Sequence, residues 1–567
     1  MKQHWRMFTL GWALILVGSL LAHFIQTSGD ITIKDVRFTG ANGRTLSAYL
    51  YIPPGVTADT PVPGILAVHG YINSREVQSG FAIEFARRGY VVLALDQAGH
   101  GYSDAPAFAG GYGGPAGLQY LRSLDIVDTN NIGLEGHSMG GWAILAAAAA
   151  HPEDYRSMVL EGSSVGGGRS VPGTTEWPRN VAVVFSEFDE FAASMWQVPT
   201  GREIGDSENL QTLFGATSTV TEGTLYGDIA QGTGRVLHSP PVTHPGDHIS
   251  HAAIGHALDW FAQTLEGGTP LPASDQIWFF KEIGTLLGLV GFVVLLCGSF
   301  SLLLNTSPFA ALARHPDTFA YSQRSPKWWL MVVLSAVIPV MTFYPFMGWG
   351  GQLLRASALL PQTITSQVAF WGVLNGLIFA ALGFVIRGDK VQFAQQLRPT
   401  LLISLATVGI GYLAVLLADF LFMIDFRFWF VGIKAMNLMQ FQIMLVYLLP
   451  FTAFFMLALR ALHGGLSVQG DSRFAHFGSN IVALAGGFFV FLVLQYANLF
   501  ITGSLLTPAQ PLNTIVMIQF VPLLTIVAIV STYTYRRTAS YLPGAFINAL
   551  FVSWYIVAGQ ATQFSVG

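Results

Sequence analysis

The residues best suited to covalent chemistry lie in Gly136-His137-Ser138-Met139-Gly140-Gly141. This segment directly follows the apolar run Ile132-Gly133-Leu134-Glu135 and directly precedes Trp142 and an alanine-rich stretch. A serine on a tight turn between strand and helix stands exposed, and small neighbours let the backbone pass close. The helix N-terminus favours the negative charge that develops when a carbonyl is attacked. Glycine is abundant in this chain, so the pentapeptide alone says little. Its position between a strand-like and a helix-like run is what makes Ser138 a candidate nucleophile rather than a packing turn.

Such a serine needs a scaffold. Asp35–Phe38 and Leu46–Ile52 read as paired strands, followed by the turn Pro53-Pro54-Gly55, and Gly64–Val68 reads as a strand ending at His69-Gly70. A helix over Val77–Arg88, a strand over Tyr90–Leu95, a helical region near 115–127, a strand over Asn131–Leu134 and a helix from Ser138 to about Ala150 complete the series. Strands alternating with helices predict the α/β class, with a doubly wound, mostly parallel sheet. Ligands gather at the carboxyl ends of such strands, which is where the distinctive residues fall. Asp96-Gln97-Ala98-Gly99-His100-Gly101-Tyr102-Ser103 follows one of them and reads as a loop shaping the floor of the site, with His100 fixing the loop rather than acting as a catalyst.

Residues from about 32 to 264 resemble the α/β-hydrolase superfamily, in the branch that holds dienelactone hydrolases, serine peptidases of the prolyl-oligopeptidase type and acyl esterases. The resemblance rests on Ala48-Tyr49-Leu50-Tyr51-Ile52-Pro53, His69-Gly70, Asp96 with Gly99-His100-Gly101, and Gly136-His137-Ser138-Met139-Gly140-Gly141. It implies a Ser-acid-His triad in that chain order, and an oxyanion hole made by the backbone N–H groups of Tyr71 and Met139, donors worth roughly 2.7–4 kcal/mol each. It implies little about the substrate, because the fold hosts many chemistries.

The acid should follow a later strand, and Asn180–Phe185 is the apolar run at the right distance. Ser186-Glu187-Phe188-Asp189-Glu190 then resembles the family's strand-Gly-x-x-Asp pattern with serine in place of glycine, which makes Asp189 the expected acid and leaves Glu187 and Glu190 as solvated loop charges. Arg235–Ser239 fits the last strand, and His244 stands where the family places its histidine. His244 is the expected base and His248 the second choice, while His251 and His256 belong to a final helix capped by Ser250. These histidines with Asp247 show neither HExxH nor HxH spacing, so no metal is expected. The implied reaction is acyl transfer: His244, oriented by Asp189, takes the proton of Ser138 as it attacks an ester, thioester or amide carbonyl, and no cofactor is needed.

Composition sets this domain in context. The 567 residues are 52% hydrophobic and only 11% charged, against about 25% charged in ordinary soluble proteins. Residues 30–275 look like a soluble domain. Residues 283–560 are long apolar stretches, and at roughly 20 residues per crossing the chain reads as nine spans, near 8–25, 283–304, 328–347, 368–386, 400–422, 438–459, 479–500, 513–534 and 541–560. The expected organisation is an uncleaved signal anchor over 1–29, the hydrolase domain over 30–264, a linker over 265–280 and an all-α membrane domain of about eight helices over 281–567. A net charge of −4 gives no footprint for nucleic acid, and the single cysteine, Cys297, excludes an intrachain disulfide, a CxxC pair and a cysteine-rich zinc site.

Lys/Arg residues favour cytoplasmic loops. With the N-terminus inside, one side holds Lys2, Arg6, Arg314, Arg324, Lys327, Arg387, Lys390, Arg398, Arg460, Arg473, Arg536 and Arg537. The other side's short loops hold Lys281, Arg355, Arg427 and Lys434. Twelve against four places the soluble domain outside the cytoplasm. The segment Phe191–Gly234 is long enough for a cap over the site or a surface insertion. A catalytic domain tied at both ends faces the bilayer, which favours lipid, lipid-linked or membrane-protein acyl substrates, with small acyl compounds and peptides also open. Asn375, Asp419, Gln440, Asn498, Gln519 and Asn548 lie in the apolar stretches, where they line a cavity or bridge helices. Two other readings stand beside the hydrolase: a transporter or flippase with an attached hydrolase domain, and a non-catalytic binding or sensing domain.

Overall fold

The computed structural model describes residues 2–167, 170–317, 319–384 and 393–564, so Arg387 and Lys390 of the charge pattern lie outside the described residues. Its N-terminal half holds an eight-stranded sheet made of β1 (Thr32–Thr39), β2 (Thr45–Ile52), β3 (Val62–Val68), β4 (Val91–Asp96), β5 (Val127–His137), β6 (Ser157–Glu161), β7 (Val181–Val184) and β8 (Arg235–His238). The order is β1-β2-β4-β3-β5-β6-β7-β8. β1 and β2 pair antiparallel, as do β2 and β4, and every later pairing is parallel.

Strands covered on both faces should be apolar without alternation, and Val91-Val92-Leu93-Ala94-Leu95 of β4 is buried throughout. Neighbouring side chains go to opposite cores. Leu66, Val68, Leu93 and Leu134 join Leu118 and Ile144 of the helices Gly114–Arg122 and Met139–Ala150 on one face. Ile65, Ala67, Val92 and Ala94 join Phe81, Ile254 and Phe261 of the helices Ser79–Arg87 and His251–Thr264 on the other. β6 is an element that the sequence patterning passes over: only Met158-Val159-Leu160 is apolar, and Ser157 and Glu161 at its ends are nonetheless fully buried.

The remaining chain is mostly helical. Among the described residues, eight helices are long and apolar enough to cross a membrane: Trp5–Gln26, Trp278–Leu304, Thr363–Leu382, Gln396–Phe422, Leu438–Leu466, Arg473–Thr502, Pro511–Thr538 and Leu542–Gly559. Pro326–Met341 and Phe343–Leu353, bent by 44°, make a ninth if they count as one span; Pro339 and Pro345 interrupt this stretch, and a proline cannot supply the helical N–H bond. The first helix packs antiparallel along Trp278–Leu304 through facing small residues. A Cβ added at Gly18 would stand 2.4 Å from the Gly284 carbonyl oxygen, and one at Gly291 would stand 2.8 Å from the Ile15 nitrogen, the close backbone approach that small residues allow between apolar helices. The loop before Leu438 adds a hairpin that the sequence reading did not include, β9 (Phe426–Phe428) with β10 (Val431–Ile433).

The two halves are docked rather than loosely tethered. Lys434 from this loop donates to both Glu76 oxygens at 2.9 and 3.0 Å, and Arg427 lies 3.8 Å from the same carboxylate. Burial would lift the pKa of Glu76, but Lys434, Arg75 and Arg427 hold it well below the usual carboxylate value. Removing one member of a buried pair of this kind costs about 3–5 kcal/mol. Gln440 donates to the Gly101 carbonyl at 2.7 Å, Trp429 to the Pro245 carbonyl at 2.5 Å, and Tyr49 to Asp419 at 3.4 Å. Near the end of the described chain, Thr562 exchanges two backbone hydrogen bonds with the Gly99–Ala107 loop. The connecting segment is strapped down as well: Arg88 donates to the Pro272 carbonyl, Arg87 to Asp275, and the Ile277 and Trp278 N–H groups donate to Glu84.

Most of the polar residues singled out in the apolar stretches hold helices or loops together. Asn375 bonds Thr342 and the Trp371 carbonyl, Asn548 the Gly544 carbonyl, Asn498 the Ser504 carbonyl, and Gln519 the Tyr555 hydroxyl.

Candidate active site

Ser138 sits between β5 and the helix Met139–Ala150 with φ 54° and ψ −119°, a conformation a non-glycine residue adopts only when its surroundings enforce it. Those surroundings are tight. A Cβ at Gly136 would stand 2.4 Å from the Gly140 carbonyl carbon, and one at Gly140 only 2.0 Å from the Val68 carbonyl oxygen. The Ser138 N–H donates to the Glu161 carbonyl at 2.8 Å, so the overlooked β6 fixes the turn. The Ser138 carbonyl accepts from the Gly141 N–H at 2.9 Å and from the Ser163 hydroxyl at 2.7 Å.

Ser138, His244, Tyr71 and Met139 line one cavity of about 500 Å³. Tyr71 is held there by the end of β3. The Gln97 N–H donates to His69 Nε2 at 3.1 Å, which leaves His69 Nδ1 to donate to the Gly70 carbonyl at 2.7 Å, and the Gln97 side chain donates to the His69 carbonyl. His100 lies behind this loop with Nδ1 on the Ala98 carbonyl at 3.1 Å, and burial pushes it down to about 4.

The structure brings the expected acid and base together. His244 Nδ1 lies 2.7 Å from Asp189 Oδ2, and the other Asp189 oxygen accepts the Phe191 N–H at 2.7 Å. Burial drives both groups toward their neutral forms, holding His244 down to about 4 and lifting Asp189 well above the carboxylate range. His248 is directed elsewhere, with Nε2 3.3 Å from Gln78 Oε1 and its ring edge-on to Phe81. Ser186, in the place of the family's glycine, donates to Asp247 at 2.5 Å, and His137 donates to the His244 carbonyl at 2.9 Å. Among the described residues, no group of three or more His, Cys, Asp or Glu is arranged to hold a metal ion.

Two features depart from the sequence expectations. Glu187 is a partly exposed loop charge, but Glu190 is not: it is buried, it accepts the His244 backbone N–H at 2.8 Å, and its other oxygen accepts the Tyr496 hydroxyl at 2.8 Å. Tyr496 belongs to the apolar helix ending at Thr502, some three hundred residues away in sequence, so no local pattern could have paired them. The roof is the second departure. Of Phe191–Gly234, only Phe191, Ser194 and Met195 line the cavity; Leu210, Leu213 and Phe214 pack into the sheet core. The rest of the roof is Leu512 and Ile515 of the helix Pro511–Thr538, with Gln563.

Burial lifts Glu190 from the ordinary 4.5 to about 8, with the Asp189 charge adding to the shift, and burial lifts Glu135 to about 8 as well. Between pH 4.5 and 8 the folded chain holds protons on these two carboxyls that the unfolded chain has lost, so their contribution to stability falls as pH rises through that window, while His244 and His100, held down to about 4, act in the opposite sense below the ordinary histidine value of 6.5. Glu190→Gln, neutral at every pH, is expected to remove the Glu190 share, so that stability falls less between pH 4.5 and 8 than in wild-type protein; a thermal unfolding series across pH in detergent, run on both proteins, checks it.

A family model for the alpha/beta hydrolase fold matches residues 63–216. The chain is 33% identical over 130 residues to the quorum-quenching protein AidA of Acinetobacter baumannii, covering 20% of this chain and 39% of that protein. It is 33% identical over 118 residues to a monoacylglycerol lipase of Mycolicibacterium smegmatis, covering 19% and 41%. The chain thus spans about two fifths of the length of the curated relatives it matches. Among solved structures, alpha/beta hydrolase GrgF from Penicillium sp. sh18 aligns with 14% identity and a TM-score of 0.30 over 42% of this chain and 100% of that one.

Proposed function

The chain carries an α/β-hydrolase domain, and from that premise we propose that it is a membrane-embedded serine hydrolase that cleaves an ester, thioester or amide by acyl transfer. The observation that carries this reading is the Asp189–His244 pair at 2.7 Å on the wall of the cavity that Ser138 also lines. Asp189 accepts a hydrogen bond from His244 Nδ1–H, which keeps that proton on Nδ1 and leaves Nε2 to take the Ser138 proton as Oγ attacks the carbonyl carbon. The C–O, C–S or C–N bond then breaks, the leaving group takes that proton, and water in a second round releases the acyl group and restores Ser138. The N–H groups of Tyr71 and Met139 hold the oxyanion, the latter at a helix N-terminus. A neutral imidazole above about pH 4 suits a general base at neutral pH.

The hydrolase domain lies outside the cytoplasm, with the N-terminus inside and the first helix retained as an anchor. Of the four basic residues on the domain's side, Lys281, Arg427 and Lys434 are buried in docking contacts, with Ser79, Asp425 and Glu76 as partners. On the opposite side, Arg324 pairs with Asp471 at 2.8 Å, and Arg314 donates its N–H to the Arg537 carbonyl. The glycine seam between the first two helices gives the anchor a structural role that cleavage would remove.

A fluorophosphonate probe applied to membranes holding the full chain tests the catalytic reading. Wild-type protein is expected to be labelled at Ser138, Ser138→Ala to be unlabelled, and one class in a panel of esters, thioesters and peptides to be turned over. Correctly folded wild-type protein that takes no label sinks the serine-hydrolase reading.

A further inference from the structure

A helix from the apolar bundle forms part of the roof over the nucleophile, and its inner face continues past the catalytic cavity. Leu512 and Ile515 line that cavity, and Val516, Gln519, Leu523 and Val527 of the same helix line a second cavity of about 50 Å³. These positions fall at i, i+3 and i+4 spacings, so they make one stripe. Leu524, Trp371 and Phe454 are then shared between the second cavity and a third of about 40 Å³, which reaches Pro339 and Phe379. The first two voids follow one helix in order, and the third branches from it at Leu524. From Leu512 to Leu524 the helix rises about 18 Å at 1.5 Å per residue, slightly more than half of a hydrocarbon core about 30 Å thick.

The second void is walled mainly by Ile, Val, Leu, Phe and Trp side chains, with Gln519 and Tyr555 bonded to each other at 2.6 Å and Gln560 at one end, and the third adds Pro339, alanines, Ser335 and Asn375 to its apolar wall. Apolar cavities take up apolar molecules. As they stand, each is little larger than the ~30 Å³ that one water occupies in the liquid, so a chain enters by turning side chains rather than by filling a finished tunnel. What fits is narrow, flexible, unbranched and apolar, and is attached at one end to a carbonyl placed at Ser138. A peptide does not fit, because its backbone N–H and C=O groups would find no partners along this stripe.

We propose that the stripe Ile515–Leu524 is an acyl-chain track: the enzyme takes a long-chain acyl ester from the bilayer and runs the hydrocarbon tail inward along Pro511–Thr538, with its carbonyl at Ser138. The inference rests on the serine-hydrolase reading and adds the substrate class and the direction of the tail. Depth along the helix then acts as a ruler. A bulky residue near the mouth blocks the track early, and one deeper blocks it late.

The full chain in detergent or vesicles, with p-nitrophenyl esters from acetyl through octanoyl to palmitoyl, reads this directly. Wild-type protein is expected to prefer palmitoyl. Val516→Phe is expected to lower the palmitoyl-to-acetyl ratio of kcat/KM at least tenfold and to move the optimum below octanoyl. Leu524→Trp is expected to stop at octanoyl, an order that a general folding defect would not produce. A wild-type optimum at acetyl, or the same optimum in all three proteins, overturns the track. Fluorophosphonate labelling of the same samples separates the two failures: labelled protein without the graded optimum loses the track alone, whereas unlabelled folded protein loses the hydrolase reading.

Discussion

Ser138→Ala is expected to lower kcat by about 10⁶, with the folded protein otherwise intact, because loss of the nucleophile removes the whole covalent route and strands His244 and Asp189 with nothing to activate. The substitution suits the site. Alanine keeps a Cβ, and the strained turn is held by backbone contacts the hydroxyl does not make: the N–H on the Glu161 carbonyl, and the carbonyl on Gly141 and Ser163. Removing the hydroxyl should therefore leave Tm nearly unchanged. Residual turnover from the oxyanion donors and binding alone would remain about 10³–10⁴ above water. Steady-state kinetics on the best ester, beside thermal unfolding of the same preparations, checks both halves, and retention of more than a hundredth of wild-type kcat would remove Ser138 from the mechanism.

The second large effect is at Asp189. Asp189→Asn is expected to cut kcat by about 10⁴ while leaving the fold in place. The reason lies in its two oxygens. The one that accepts the Phe191 N–H at 2.7 Å fixes which end of an asparagine keeps the carbonyl, so the amide NH₂ must face His244 Nδ1. An NH₂ can only donate. It would force the imidazole proton onto Nε2, the nitrogen that has to accept from Ser138. The same variant separates the two candidate histidines: His248 faces Gln78, not Asp189, so a base at His248 would lose far less on this change. The position of the imidazole proton, read by nitrogen-15 NMR of labelled histidine, is expected to switch in Asp189→Asn.

The sheet and the Ser138, Asp189 and His244 cluster could be anticipated because each depends on short-range pattern: an apolar run, a glycine-lined turn, a strand followed by an acidic loop. β6 escaped because three apolar residues between a serine and a glutamate do not make a periodic signal, yet its Glu161 carbonyl anchors the serine turn. Glu190 reads as a solvated charge in sequence because its partners, the His244 N–H and the Tyr496 hydroxyl, come from distant parts of the chain. The apolar spans were plain from hydropathy. Which of their faces would roof the site was not, since Leu512 and Ile515 look like any other apolar residues of a span until the sheet domain is docked on them.

The Thr562 strap against Gly99 and Ala107 has a consequence for biogenesis. Ser138 and His244 leave the ribosome well before Leu512, Ile515 and Gln563, so a growing chain carries both residues while the roof is still unmade. Only after the final helix has been inserted and the strap has closed does the cavity gain its far wall. On the serine-hydrolase reading, hydrolytic competence would then wait on completed insertion, sparing the translocation machinery and the surrounding lipids from a half-built enzyme.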